Sequence, residues 1–280
     1  MRCIIFFIKV SLLIGFASCA INERVHYHYF QNTQQVPLFK EKNEFRLSGN
    51  LEIGKENNGY SFQGAYSLPQ NLAIALSGMN FQNSRNTTLN GVSTGAWSGQ
   101  SIDGALGQYY DFKEYGIFEI YGGYNYGVQQ HSYSSIQDSY TSFWYGTFLS
   151  QTVTPIGTAD FNSSAFYILP SYGYSFNGVD IAISTRYSYL NYSVVNKVDK
   201  GTKQYEEVKS IKTNPNYLLF EPALTFRGGW QYAKMQLQFA FTGGADYIRY
   251  SPYTISFGLQ IAIAERFWRK KPEVTPELIE

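Results

Sequence analysis

The amino-acid sequence predicts an all-β protein: a transmembrane, antiparallel up-and-down β-barrel of ten strands, with eight or twelve as the alternatives. Three observations predict it. Several segments alternate strictly between apolar and small or polar residues, and a strand turns successive side chains to opposite faces. In the clearest, Val179, Ile181, Ile183, Thr185, Tyr187 and Tyr189 oppose Asp180, Ala182, Ser184, Arg186 and Ser188, directly after an Asn177-Gly178 hairpin turn. A segment of this length, about nine to eleven residues, crosses a bilayer at a tilt. Secondly, no apolar run after residue 20 approaches the roughly eighteen residues of a membrane helix, yet the chain is 18% aromatic and only 15% charged. Thirdly, connections between the segments sort into short and long by side, as in outer-membrane barrels.

Residues 1–18 read as an export signal: Arg2 and Lys9 are positive, Cys3 to Phe16 is mostly apolar, and the run is too short for a stop-transfer helix. It ends Phe16-Ala17-Ser18-Cys19, which resembles the lipobox of bacterial lipoproteins, with Phe16 where Leu is usual. That resemblance implies cleavage before Cys19 and its acylation; the alternative is ordinary cleavage after Ala17 or Ala20. Each buried methylene of an acyl chain contributes about 0.8 kcal/mol to anchoring. Cys3 and Cys19 are the only cysteines, so the mature chain is expected to hold no disulfide. Without Arg2 and Lys9 it carries 20 basic against 21 acidic residues, a balance that points to no nucleic-acid partner.

Residues 19–43 are polar and unperiodic and read as a periplasmic tether. His26 and His28 share a face in an extended chain, but no third ligand lies near, so no metal is expected there. The barrel is expected over 44–264. Phe45, Leu47, Gly49, Leu51 and Ile53 alternate with Arg46, Ser48, Asn50 and Glu52; Tyr60, Phe62 and Tyr66 with Ser61, Gln63 and Ala65; Leu72, Ile74 and Leu76 with Ala73, Ala75 and Ser77. Ile102 to Phe112 and Gly116 to Gly127 form the next pair, and Ala165 to Phe176 leads into the 179–192 strand. Tyr217 to Arg227, Lys234 to Thr242 and Tyr253 to Ile263 complete the ten. Residues 265–280 are expected to form a periplasmic tail. Connections after even-numbered strands are tight, whereas the long stretches 83–99, 128–160 and 193–216 all follow odd-numbered ones. Pro170 and Pro222 fall mid-strand, where a ladder donor is lost, and predict local bulges.

The apolar face is expected to meet lipid. Its aromatics gather near strand ends (Tyr187 and Tyr189, Tyr124 and Tyr126, Tyr110 and Phe112), as interfacial girdles do. The other face carries many Gly, Ala and Ser. Its long polar members, Arg46, Glu52, Gln63, Asp103, Glu119, Arg186, Glu221, Arg227, Gln236 and Gln238, are expected to fill the lumen. Arg186 lies seven residues above its turn and Glu221 seven before Gly228 on the next strand, so the two predict a lumenal ion pair.

The last strand, Ser256-x-Gly258-x-x-Ile261-x-Ile263, resembles the C-terminal signal read by barrel-assembly machinery, although a tail follows it here. Taken with Val36-Pro37-Leu38-Phe39-x-Glu41-Lys42, Ile120-Tyr121-Gly122-Gly123-Tyr124-Asn125-Tyr126-Gly127, Glu221-Pro222-Ala223 and Arg227-Gly228-Gly229-Trp230, residues 36–265 resemble the small outer-membrane β-barrel proteins of Bacteroidota. The resemblance implies an outer-membrane location and outer-membrane lipid and assembly machinery as partners. It supplies no reaction, and no cofactor is expected. Three functions follow: a lipid-anchored barrel with a structural or surface-interaction role; a narrow channel or binder of an apolar ligand; and a rim hydrolase. The last needs a base, for which only His131 is at hand after the tether, beside Ser132, Ser134, Ser135 and Asp138 in a Ser-rich stretch; a solvated loop histidine is the plainer reading, and no enzyme is expected.

Overall fold

The computed structural model describes residues 28–55, 57–83, 97–113, 115–143, 146–176, 178–194, 203–244, 248 and 250–264. Ten strands close into one barrel: β1 (Phe45–Gly54), β2 (Asn57–Ser67), β3 (Leu72–Asn83), β4 (Trp97–Asp111), β5 (Ile117–Phe143), β6 (Gly146–Phe176), β7 (Val179–Val194), β8 (Asn216–Gly229), β9 (Ala233–Phe241) and β10 (Tyr253–Ile263). One helix, α1 (Lys203–Thr213), joins β7 to β8. Every strand pairs antiparallel with its neighbours in sequence, and β1 closes on β10 from Phe45↔Ile263 to Gly54↔Thr254. Within the closed wall this leaves no lateral edge to solvent or lipid.

The alternation read from the sequence becomes an outside and an inside. Ile183 is 59% exposed and Phe257 49%, with Leu51, Phe62, Leu76, Leu106, Ile168 and Ile261 likewise turned outward. Each strand adds its own outward residues to this belt, far more apolar surface than a water-soluble monomer tolerates. At the long-loop end the belt stops at Tyr60, Tyr126, Phe166 and Tyr189, and a collar of Asn80, Gln82, Ser98, Gln100, Gln130, Asn162 and Asn216 begins. Aromatic side chains at the boundary of hydrocarbon and headgroups account for the first set, and hydration for the second. Ile183 faces outward near the middle of the belt. The change Ile183→Arg is therefore expected to lower barrel stability by about 2–4 kcal/mol, measured as an earlier loss of the heat-modifiable gel form, whereas Asn162→Arg in the collar changes it by less than ~1 kcal/mol.

Three features differ from the sequence reading. The stretch 128–160, expected to be largely irregular, is mostly strand: β5 and β6 stay paired from Ile117↔Gly173 to Phe143↔Gly146. Beyond Trp97↔His131 and Phe161↔Val194 neither strand pairs with another among the described residues, and the pair continues past the wall as a two-stranded ribbon. A register shift at Tyr133/Ser134, beside Gly157 at φ +156°, marks the departure, and a bulge is how a strand pair re-aims itself. Secondly, the charged stretch 193–216 contains α1, whose Val208 and Ile211 pack on Leu190, Tyr192, Tyr217 and Leu219 at the barrel mouth. Thirdly, the prolines do not shift the register. Ile168↔Tyr187 and Ser171↔Ser184 lie on one register either side of Pro170, and Thr185 pairs directly with Pro222. Each proline interrupts a ladder locally without inserting a residue.

Candidate functional site

The lumen is not filled by wall side chains alone. Of residues 19–43, expected to form a tether below the barrel, residues 28–39 run through its interior: Gln31, Leu38 and Phe39 have no exposed surface, Gln34 and Val36 are 1% exposed, and the chain emerges at the exposed Lys40, Lys42 and Asn43. The reason is chemical. An extended backbone inside a closed barrel cannot join the ladder, so its N–H and C=O groups need other partners. The inward polar residues provide them. The Gln34 N–H donates to Gln238 Oε1 at 2.7 Å, while Gln238 Nε2 donates back to the Gln34 carbonyl at 3.0 Å, so one side-chain amide serves both backbone groups. The Phe39 N–H donates to Glu119 at 2.9 Å and the Lys40 N–H to Glu44 at 3.1 Å. Gln63 donates to the Thr33 carbonyl (2.6 Å), and Arg46 to the Leu38 carbonyl (2.8 Å). Thr33 gives both its N–H and its hydroxyl to Glu52.

The thread's own side chains are layered to match the bore. Near the short-turn rim Phe39 sits among Ala65, Ala73, Ala75, Tyr109 and Tyr121. Small inward residues make that room, and Gly173 completes it, since a Cβ there would lie 2.5 Å from a Leu38 methyl. At mid-height the contacts are polar. Near the long-loop rim Phe30 packs on Met79, Phe81 and Trp97. Two voids beside the thread among the described residues, about 30 Å³ next to Tyr29 and about 10 Å³ next to Thr33, have room for no more than a water or two.

Arg186 and Glu221 meet inside this filling, with Nε and Oε2 2.6 Å apart and exposures of 5% and 0%. They touch the thread as well as each other: Tyr29 donates its phenol to Glu221 at 2.8 Å, and Arg186 reaches the Asn32 carbonyl at 3.4 Å. Lys234–Asp180 and Arg46–Glu44 add two further pairs, each at 2.6 Å. Charge of both signs within and hydrocarbon without is the reverse of a water-soluble barrel. The chain is a bacterial outer-membrane β-barrel.

No protein-family model and no curated protein matches the chain. Among solved structures it is similar to the outer-membrane protease OmpT from Escherichia coli, at TM-score 0.40 and 10% identity over 79% of this chain and 93% of that one. It is also similar to the translocator domain of the autotransporter NalP from Neisseria meningitidis, at 0.39 and 11% over 80% and 89%. The β domain of the Bordetella autotransporter BrkA gives 0.38 and 9% over 78% and 97%. These are likenesses of architecture only, and the reading of this outer-membrane barrel rests on its own geometry.

The remaining residues singled out by sequence are placed as follows. Cys19 and His26 lie outside the described residues. His131 is not in a solvated loop: it points inward from β5 with no exposed surface, stacked between Trp97 and His28 at ring distances of 5.6 and 5.2 Å. A histidine so enclosed does not meet a substrate at the rim, and the expected grouping with Ser134, Ser135 and Asp138 falls on side chains outside those described. Among the described residues no group of three or more His, Cys, Asp or Glu is placed to hold a metal ion. Sequence reasoning missed the thread itself. Its signal was the apolar Val36, Leu38 and Phe39 in a segment otherwise polar enough to be solvated.

Proposed function

We propose that this outer-membrane barrel is a closed, non-conducting scaffold with a structural or surface-interaction role, anchored additionally by acylation of Cys19. Its working surface is the long-loop rim, where α1 and the β5–β6 ribbon project. One observation carries the reading: the bore is occupied by residues 28–39, whose backbone is hydrogen-bonded to wall side chains from β1, β2, β5 and β9. A pore built for solutes would leave that wall wet. The ribbon supports the second half of the reading, since it reaches roughly 40 Å along its own axis beyond Gln130 at about 3.3 Å per residue. Planar-bilayer recording on the purified full-length protein tests the proposal. It is expected to give no unitary current steps; reproducible steps from the intact chain would replace this reading with the channel one.

A further inference from the structure

The thread has a direction. At its start, His28 stacks on His131 opposite Trp97, the first residue of β4, and its carbonyl accepts from Tyr192 near the end of β7. Tyr29 forms a bridge with Tyr250 in the β9–β10 connection. All of these lie at the long-loop rim. The wall contacts then descend in order. Asn32 reaches Ser77, Thr33 reaches Glu52 and Ser256, and Gln34 reaches Gln238 and Ser184. Leu38 lies against Gly173, Phe39 is held by Glu119, and Asn43 is met by Tyr66 at the short-turn rim, where β1 begins. In outer-membrane barrels short turns face the periplasm and long loops the exterior.

We infer that the polypeptide preceding His28 leaves the barrel at the outer rim, so that the mature N-terminus is displayed on the cell surface. A return to the periplasm would need a second pass through the bore or a pass along the outside of the wall. Among the described residues the two voids beside the thread, about 30 and about 10 Å³, are too small for a second stretch of backbone. Along the wall, Ala20 to Tyr27 would bring Glu23, Arg24 and unpaired backbone into hydrocarbon, where each orphaned polar group costs several kcal/mol. If Cys19 is acylated, as the proposed anchoring has it, its chains enter the outer leaflet. It lies nine residues before His28, a reach of roughly 30 Å. The barrel then carries its own N-terminal segment across the membrane and holds it there.

The test reads accessibility rather than current, so its failure is distinct from a failure of the closed-scaffold reading. Full-length Asn22→Cys is exposed on intact cells to a membrane-impermeant maleimide. Lys212→Cys on α1 marks the outer rim, and Lys113→Cys in the β4–β5 turn marks the periplasmic one; heat-modifiable migration confirms that each variant is folded. Asn22→Cys is expected to label on intact cells as fully as Lys212→Cys, while Lys113→Cys labels only after permeabilisation. Labelling of Asn22→Cys that follows Lys113→Cys overturns the inference. As a second measurement, trypsin added to intact cells is expected to yield a barrel beginning at Val25, through cleavage after Arg24. Protection from both reagents on intact cells also overturns it.

Discussion

Deleting residues 20–39, which joins Cys19 to Lys40 and leaves the leader intact, is expected to turn a silent barrel into a conducting one. The wall that remains presents Glu52, Gln63, Glu119, Arg186, Glu221 and Gln238 to the vacated bore, and all of these are buried in the intact protein. Water replaces the thread as their partner at little net cost, because an intramolecular hydrogen bond is worth only about 1 kcal/mol more than its hydrated alternative. The barrel sheet, which closes from β1 around to β10, does not depend on the thread. Planar-bilayer recording on the deletion variant should show discrete steps that the full chain lacks, with heat-modifiable migration preserved. Gln238→Ala gives a graded version, since it strips both backbone bonds from Gln34 and leaves a buried donor and acceptor unmet, about 1–3 kcal/mol each. Brief rather than sustained openings are expected from it. A deletion variant that folds and stays silent would mean that the wall side chains close the bore unaided.

Glu221→Ala is expected to be the most destabilising single substitution in the lumen, at about 3–5 kcal/mol. Glu221 accepts from Arg186, Tyr29 and Ser188, and its loss leaves the Arg186 guanidinium buried without its nearest counter-charge. The intact pair is not itself a large source of stability, because burying two ions cancels most of their attraction. The double variant Arg186→Met with Glu221→Leu should therefore recover much of the loss. Urea titration of the lipid-embedded barrel, followed by tryptophan fluorescence and gel mobility, gives both numbers. Equal destabilisation in the single and double variants would show that the contacts to Tyr29 and Asn32, rather than the charge balance, hold this level of the barrel together.

The wall was legible in the sequence because a membrane barrel obeys one short rule. Each strand alternates with period two, so Val179 to Tyr189 against Asp180 to Ser188 already separates lipid face from lumen. Strand ends were harder. The alternation in Tyr133 to Phe143 is blurred by Ser and Thr, which suit loops and strands alike, so the ribbon read as irregular. Among the described side chains of α1, Val208 and Ile211 are the buried apolar anchors, set in a charged stretch that shows no clear helical period. The thread left no periodic trace, because its partners approach from several sides of the bore and residues 30–34 and 36–39 are buried all round. Polar residues at Gln31 to Gln34 therefore looked like those of a tether, when Asn32, Thr33 and Gln34 in fact answer side chains on β3, β1 and β9, and Gln31 answers Thr242 just past the end of β9.

The seam between β1 and β10 joins the two ends of the sheet across more than two hundred residues, so its formation carries the largest loop-closure entropy in the wall. The base of the thread, by contrast, is fastened locally: the Lys40 N–H to Glu44, the Leu38 carbonyl to Arg46, and the Glu41 carbonyl to Ser67. Being local, these contacts are expected to form before the seam and to pin the segment to the β1–β2 hairpin while the sheet is still open. Curling that sheet shut would then wrap it around a segment of its own chain, so that closing the seam and enclosing the thread become one event.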